Sequence, residues 1–280
     1  MNLNPANFIS MSRWTSKVTY RVDDGDAALV DQPGTLLLPM QRDRLLRYLP
    51  SNARVAEIGV AKGQFTQQVR TVCKPSFYAL VDPWRHQDEN VYYGDSNNAA
   101  QADQDRRHAA VSKRFASSKA GRECKVFRMF SADAVKEFPD KHFDWVFVDA
   151  NHSYEACLED LRLWAPKVRD DGLICGHDFA VHGAARAAKF GVVDAVKDFA
   201  NETGFGLAAV TIEHFPTFVI AKSPRGETVK RMRQLIFSYE PHVIQVSDAA
   251  QSDIKHARLL DTGLPRAAFM SFDFFKTPGA

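Results

Sequence analysis

The chain has 280 residues, 45% of them hydrophobic and 25% charged, which excludes a disordered or fibrous protein and suits one globular domain with additions at its ends. Lys and Arg number 36 against 34 Asp and Glu; a formal net charge of +2 gives no basic field for gripping nucleic acid and favours a small-molecule partner. Residues 1–20 lack the apolar core of a signal peptide and no run of about 18 apolar residues could span a bilayer, so a cytoplasmic location without a membrane partner is expected.

In chain order, an N-terminal extension over 1–37 is expected to precede an alternating strand and helix domain over 38–222 and a helical, aromatic C-terminal extension over 223–280. Short apolar runs bounded by polar residues or Gly predict strands at 54–59, 77–82, 125–129, 144–149 and 172–176, the pattern of a parallel sheet covered by helices. Two more, at 207–212 and 217–221, lie close together around Pro216 and read as an antiparallel pair. Tyr154, Leu158, Leu161, Ala165 and Val168 recur at helical spacing, as do Val192, Val196 and Phe199 before a polar stop at 201–206. A polar insertion over 85–123 carries a helix near 99–116 and reads equally as a lid or as a solvated helix. After it all, Val229, Met232, Leu235, Ile236 and Tyr239 form an amphipathic stripe. Beyond them Phe269, Met270, Phe272, Phe274 and Phe275 require cover, from the same domain or from a second copy in a homo-oligomer. Cys73, Cys124, Cys157 and Cys175 form no C-x-x-C pair and read as buried thiols.

The first strand runs into Glu57-Ile58-Gly59-Val60-Ala61-Lys62-Gly63, with Gly59 and Gly63 placed for a tight turn into a helix. A dinucleotide site would show G-x-G-x-x-G here; an acidic residue followed by G-x-x-x-G demotes NAD, because Glu57 suits an ammonium or sulfonium and repels a pyrophosphate. Asp82, ending the second strand, is placed to accept hydrogen bonds from two ribose hydroxyls. Trp84 either covers a nucleoside or closes the edge of the core, and Ser131 with Ala132 either faces a base or simply caps a helix.

The fourth strand delivers Asp149, followed by Asn151 and His152, and the fifth delivers His177 and Asp178. Ligands of open parallel sheets bind beyond the carboxyl ends of the strands, so these loops should meet over one crevice. Two chemistries fit. Asp149, His177 and Asp178 could hold a divalent cation such as magnesium, or His152 or His177 could act as general base for an acceptor hydroxyl. The rival assignment makes Ser153 a helix cap, Asp178 a turn-former and the histidines hydrogen-bonding supports.

The set E-I-G-V-A-K-G-Q-F, V-D-P-W, F-D-W-V-F-V-D-A-N-H-S-Y-E and G-L-I-C-G-H-D-F, in this order between about Val55 and Ala221, resembles class I methyltransferases, particularly the methyltransferase-24 family. The resemblance implies a Rossmann-like, doubly wound α/β fold: a seven-stranded sheet with its last strand antiparallel, carrying S-adenosylmethionine across its C-terminal edge. It implies that Glu57, Gly59 and Gly63 contact the methionine part, Asp82 the ribose, Ser131 and Ala132 the adenine, while Asp149 sits beneath the methyl-transfer centre. More distantly the chain is similar to metal-dependent sugar and catechol O-methyltransferases. Asp149 and Asp178 match their pattern, but His177 stands where they usually carry a carboxylate. The resemblance implies methyl transfer but not the acceptor, which lies with segments outside it; a hydroxyl of a small molecule, such as a sugar or natural-product intermediate, is the expected one. N-methylation of a small amine and a non-catalytic scaffold of the same fold are the alternatives.

Overall fold

The computed structural model describes residues 34–87, 97–119 and 121–246, and three further strands at 18–21, 253–258 and 268–273. Its strands are β1 (Val18–Arg21), β2 (Thr35–Leu38), β3 (Arg54–Ile58), β4 (Phe77–Val81), β5 (Ser117–Lys119), β6 (Arg122–Phe127) and β7 (Phe143–Val148). They continue with β8 (Val168–Gly176), β9 (Gly206–Thr211), β10 (Phe218–Ala221), β11 (Val243–Val246), β12 (Asp253–Arg258) and β13 (Ala268–Asp273). The helices are α1 (Arg42–Leu45), α2 (Gln64–Val72), α3 (Gln101–Phe115), α4 (Ser131–Ala134), α5 (Tyr154–Trp164), α6 (Gly183–Ala187), α7 (Val192–Thr203) and α8 (Glu227–Tyr239).

One sheet of eleven strands runs in the order β1-β11-β2-β9-β10-β8-β7-β3-β4-β6-β5. At its centre lies the expected set of seven, β9-β10-β8-β7-β3-β4-β6, with β8, β7, β3, β4 and β6 all parallel and β10 antiparallel to both of its neighbours. Chain order reverses between β3 and β7, which makes the carboxyl ends of these two strands the switch point where a ligand crevice forms. The additions at the two ends are not only helical. Thr35–Leu38 is buried throughout and pairs in parallel with β9, and β11 and then β1 extend that edge. A hydrophobic run this short shows no period in sequence, but here it has a sheet edge to join.

Side chains alternate to two cores. Phe143, Val146 and Val148 of β7 join Leu158, Leu161, Trp164, Val192, Val196 and Phe199 on one face. Trp145 and Phe147 join Val69, Val111, Phe115, Met232 and Ile236 on the other. The stripe on α8 is confirmed at Val229, Met232 and Ile236 and corrected at its end: Tyr239 is 71% exposed and Phe237 is buried in its place. The described part of the insertion both packs on the core and borders the crevice, through Arg85, Gln87, Asn97, Asn98, Gln104 and Arg107. Its α3 buries Gln104, Val111 and Phe115 and serves as the crossover between β4 and β6. Most of the expected N-terminal extension, part of the insertion, and Phe274 and Phe275 of the aromatic tail lie outside the described residues; β12 and β13 pair antiparallel with each other.

Phe143 is fully buried, with ring centroids 4.9 Å from Phe138, 5.9 Å from Trp164 and 6.2 Å from Phe77. Phe143→Ala should destabilise the protein by about 3–5 kcal/mol, seen as a lowered urea midpoint at unchanged slope.

Candidate active site

The turn after β3 is built around a close approach. Gly59 has φ +92°, and a Cβ there would lie 2.0 Å from the carbonyl oxygen of Asp149, so no side chain fits. Ala61 follows with φ 49°, a left-handed conformation costly for a residue with a Cβ, and Gly63 with φ 74° opens α2. The Asp82 carboxylate holds this path. Its Oδ2 accepts hydrogen bonds from the amides of Val60 (3.0 Å) and Ala61 (2.9 Å), and its Oδ1 accepts one from Trp84 (2.7 Å). Burial pushes the Asp82 carboxyl up, and these three amides pull against it.

A cavity of about 790 Å³ lies over the carboxyl ends of the strands, within the usual range for small-molecule sites. Of the residues singled out from sequence, Glu57, Gly59, Asp82, Ser131, Ala132, Asp149, His152, His177 and Asp178 line it; Gly63 and Trp84 do not. Gly63 is packed under the Phe115 ring, which a Cβ would meet at 2.6 Å. Trp84 is fully buried, and its indole N–H donates to the Ala61 carbonyl (2.8 Å) while its ring centroid lies 5.1 Å from that of His108. That placement is the one expected of a Trp closing the edge of the core.

Glu57 borders the cavity but turns its Oε2 into the core, where the hydroxyls of Thr66 (2.8 Å) and Tyr78 donate to it. Burial raises its pKa to about 8, so the group is mostly protonated at neutral pH rather than the fixed anion expected from sequence.

At one end of the cavity stands Ser131. The N-cap of α4 is Phe130, so Ser131 is not the cap; its Oγ accepts from the Trp164 indole (2.8 Å) and its hydroxyl donates to Asp160 Oδ1. At the other end the loops after β7 and β8 meet as expected. His152 Nε2 lies 3.4 Å from Asp178 Oδ2, and His177 Nδ1 lies 3.2 Å from Asp178 Oδ2 and 3.9 Å from Asp149 Oδ1. Asp178 has φ 59°, which Asp tolerates better than most residues. Burial pushes the Asp149 carboxyl up, against the pull of His177. Burial also acts on Asp178, but the His177 hydrogen bond and the charges of His152 and His177 outweigh it and hold that carboxyl below its ordinary value. Burial opposes the His177 imidazolium, and the Asp149 charge with the Asp178 hydrogen bond overcomes it, leaving the pKa of His177 raised. Ser153 caps α5, accepting from Ala156 N, so the expected cap coexists with the cluster.

The metal donors named from sequence were Asp149, His177 and Asp178. The donor atoms that the fold brings within 4.8 Å of one another belong instead to Asp149, His152 and Asp178. His177 is turned along the two carboxylates as their partner.

Several lining residues escaped the sequence reading. Arg42 enters from α1, places Nη1 3.2 Å from Asp149 Oδ2 and lies 5.0 Å from the Phe65 ring centroid. It comes from 107 positions away, with no local pattern to mark it. Arg107 and Phe215 likewise arrive on elements outside the motifs. Asp160 had a visible signal: three after Cys157 and four before Trp164, it stands within the buried side of α5.

Residues 56–179 match the Methyltransf_24 family model, a methyltransferase domain. No curated protein matches the sequence. Among solved structures, a SAM-dependent methyltransferase from Aquifex aeolicus is similar at 14% identity and TM-score 0.44, covering 70% of this chain and 98% of that one. A Corynebacterium glutamicum protein is similar at 15% and 0.44, covering 70% and 86%. The 1,6-didemethyltoxoflavin-N1-methyltransferase of Burkholderia thailandensis, solved with bound 1,6-didemethyltoxoflavin and S-adenosylhomocysteine, is similar at 13% and 0.41, covering 64% and 75%. Likeness of this degree says nothing of the acceptor.

The raised pKa of Glu57 has a sign that can be checked. The folded state keeps a proton that the unfolded chain releases near pH 4.5, so this contribution to stability is complete below that pH and is lost as pH rises through about 8. Glu57→Gln is uncharged throughout; between pH 5 and 8 the wild-type melting temperature should fall by several degrees relative to this variant.

Proposed function

We propose that this chain, which carries a class I methyltransferase domain at residues 56–179, transfers the methyl group of S-adenosylmethionine to a hydroxyl of a small molecule, a sugar or natural-product intermediate. One observation carries the reading. One cavity is lined by Asp82 and Ser131, which follow β4 and β6, and by Asp149, His152, His177 and Asp178, which follow β7 and β8 across the switch point, a division that suits a long nucleoside ligand and an acceptor. The cofactor fits: the turn is preformed by Asp82, and a buried carboxylate, Asp160, borders the cavity beside Ser131.

Bound there, S-adenosylmethionine supplies an electrophilic methyl group on a sulfonium. The chain's own part is to align the acceptor and remove its proton, because a neutral alcohol is a poor nucleophile. His152 is the base in this reading. With Nε2 directed at Asp178, its Nδ1 takes the acceptor proton, and Asp178 stabilises the imidazolium that forms. His177 keeps the two carboxylates together, and Arg42 holds Asp149 at the base of the transfer centre. Magnesium does not fit this set. It prefers an all-oxygen octahedral shell, whereas the converging donors include an imidazole, and Asp149 already has a guanidinium on it. No step is assigned to a metal.

Calorimetry with S-adenosylhomocysteine tests the cofactor; no heat of binding at millimolar ligand would discard the reading. Panels of hydroxylated sugars and natural products, with amines in parallel, test the acceptor: turnover of amines alone would replace O-methylation by N-methylation. With an acceptor in hand, His152→Ala should lower kcat by about 10²–10⁴-fold while leaving affinity for S-adenosylhomocysteine nearly unchanged. Dialysis against EDTA should leave turnover within about twofold, since Arg42 and His177 supply the cationic partners. A collapse of activity restored by a divalent ion would return the metal to the mechanism.

A further inference from the structure

Phe215 is a half-buried ring in the wall of the cavity that His152, His177 and Asp178 also line. The loop that carries it, between β9 and β10, is pinned on both sides of the ring. His182 Nε2–H donates to the His214 carbonyl (2.8 Å), and the amide of Phe179, next to Asp178, donates to the Pro216 carbonyl (3.0 Å). Three further rings back it: the Phe215 centroid lies 4.5 Å from that of His214, 5.0 Å from His182 and 5.8 Å from Phe190. Phe190 in turn lies 4.7 Å from the His152 imidazole, and the amide of Gly191 beside it donates to the His152 carbonyl (2.8 Å). Rings thus run from the base through Phe190 to the cavity wall at Phe215. A ring that faces a cavity and is held still by its neighbours is a preformed surface for another ring, because aromatic pairs gain offset and edge contacts that a saturated ring cannot return.

We infer that the acceptor is a phenol, its ring packed on Phe215 and its hydroxyl directed to His152. This rests on the reading that the cavity takes S-adenosylmethionine, and it narrows the acceptor of that reading to an aromatic hydroxyl. Acidity points the same way. A sugar hydroxyl is about as weak an acid as water, at pKa ~15.7, whereas a phenol stands at ~10, so an imidazole base has roughly six powers of ten less to overcome with the phenol. In the transfer the phenol gives its proton to His152 Nδ1 and an oxygen lone pair to the methyl carbon, while the pair of the breaking C–S bond stays on sulfur and leaves a neutral thioether. Phe215 is then the residue that selects for a ring.

The test is binding rather than turnover: NMR titration of the full chain, saturated with S-adenosylhomocysteine, with 4-methylphenol, its saturated counterpart 4-methylcyclohexanol, and methyl glucoside. The wild type should bind the phenol more tightly than the cyclohexanol by about fivefold or more, and more tightly than the glucoside. Phe215→Leu keeps an apolar side chain but removes the ring, and should bring the phenol and the cyclohexanol within about twofold of each other, while Phe215→Trp keeps the preference. A ratio unchanged in Phe215→Leu overturns the inference. So does a wild type that binds the cyclohexanol or the glucoside as well as the phenol, or that takes S-adenosylhomocysteine and none of the three, and these outcomes decide the matter even if a variant fails to fold. A wild type without affinity for S-adenosylhomocysteine overturns the cofactor reading itself.

Discussion

The Asp82 carboxylate is the constraint from which the rest of the crevice follows. A single acidic side chain at the end of β4 accepts three backbone amides, two from the turn after β3 and one from its own loop. Those bonds hold Ala61 and Trp84 in left-handed conformations that neither favours by itself, a local cost the neighbouring contacts offset. With Trp84 so placed, its indole bonds the Ala61 carbonyl and the turn is tied from below as well. Gly59 is then pressed against the backbone of Asp149, so the turn and the acid at the end of β7 form one surface. Geometry around Asp149 is therefore inherited from the turn that Asp82 holds.

The cluster after β7 and β8 is a balance of charge. Asp149 and Asp178 lie in a low-dielectric wall where two anions side by side would repel, and His177 between them with Arg42 outside relieves the repulsion. Removing either cation would leave a buried carboxylate to take up a proton instead. The four groups act as one unit, so single substitutions in it should not be additive.

Much of this was legible because parallel strands buried on both faces announce themselves as apolar runs ending in Gly or Asp. The strands expected at 54–59, 77–82 and 144–149 appear within one residue at Arg54–Ile58, Phe77–Val81 and Phe143–Val148, and the turn motif falls between the first of them and α2. The third, expected at 125–129, begins three residues earlier, since the charged Arg122 and Glu123 give no apolar signal. What sequence could not yield was direction and distance. Nothing local says that Glu57 points into the core, that Trp84 turns under rather than over, or that Arg42 crosses to Asp149. Phe237 and Tyr239 are two apart on one helix, and only the packed surface decides which is inside.

Both borders of the large sheet end in short strands that run against their neighbours, β5 with three residues at one side and β1 with four at the other. A ladder that brief offers an incoming strand only a few hydrogen bonds, too little to recruit foreign chains by growing the sheet sideways. Among the described residues, an eleven-stranded layer bordered in this way offers little ladder at either side for growth along it.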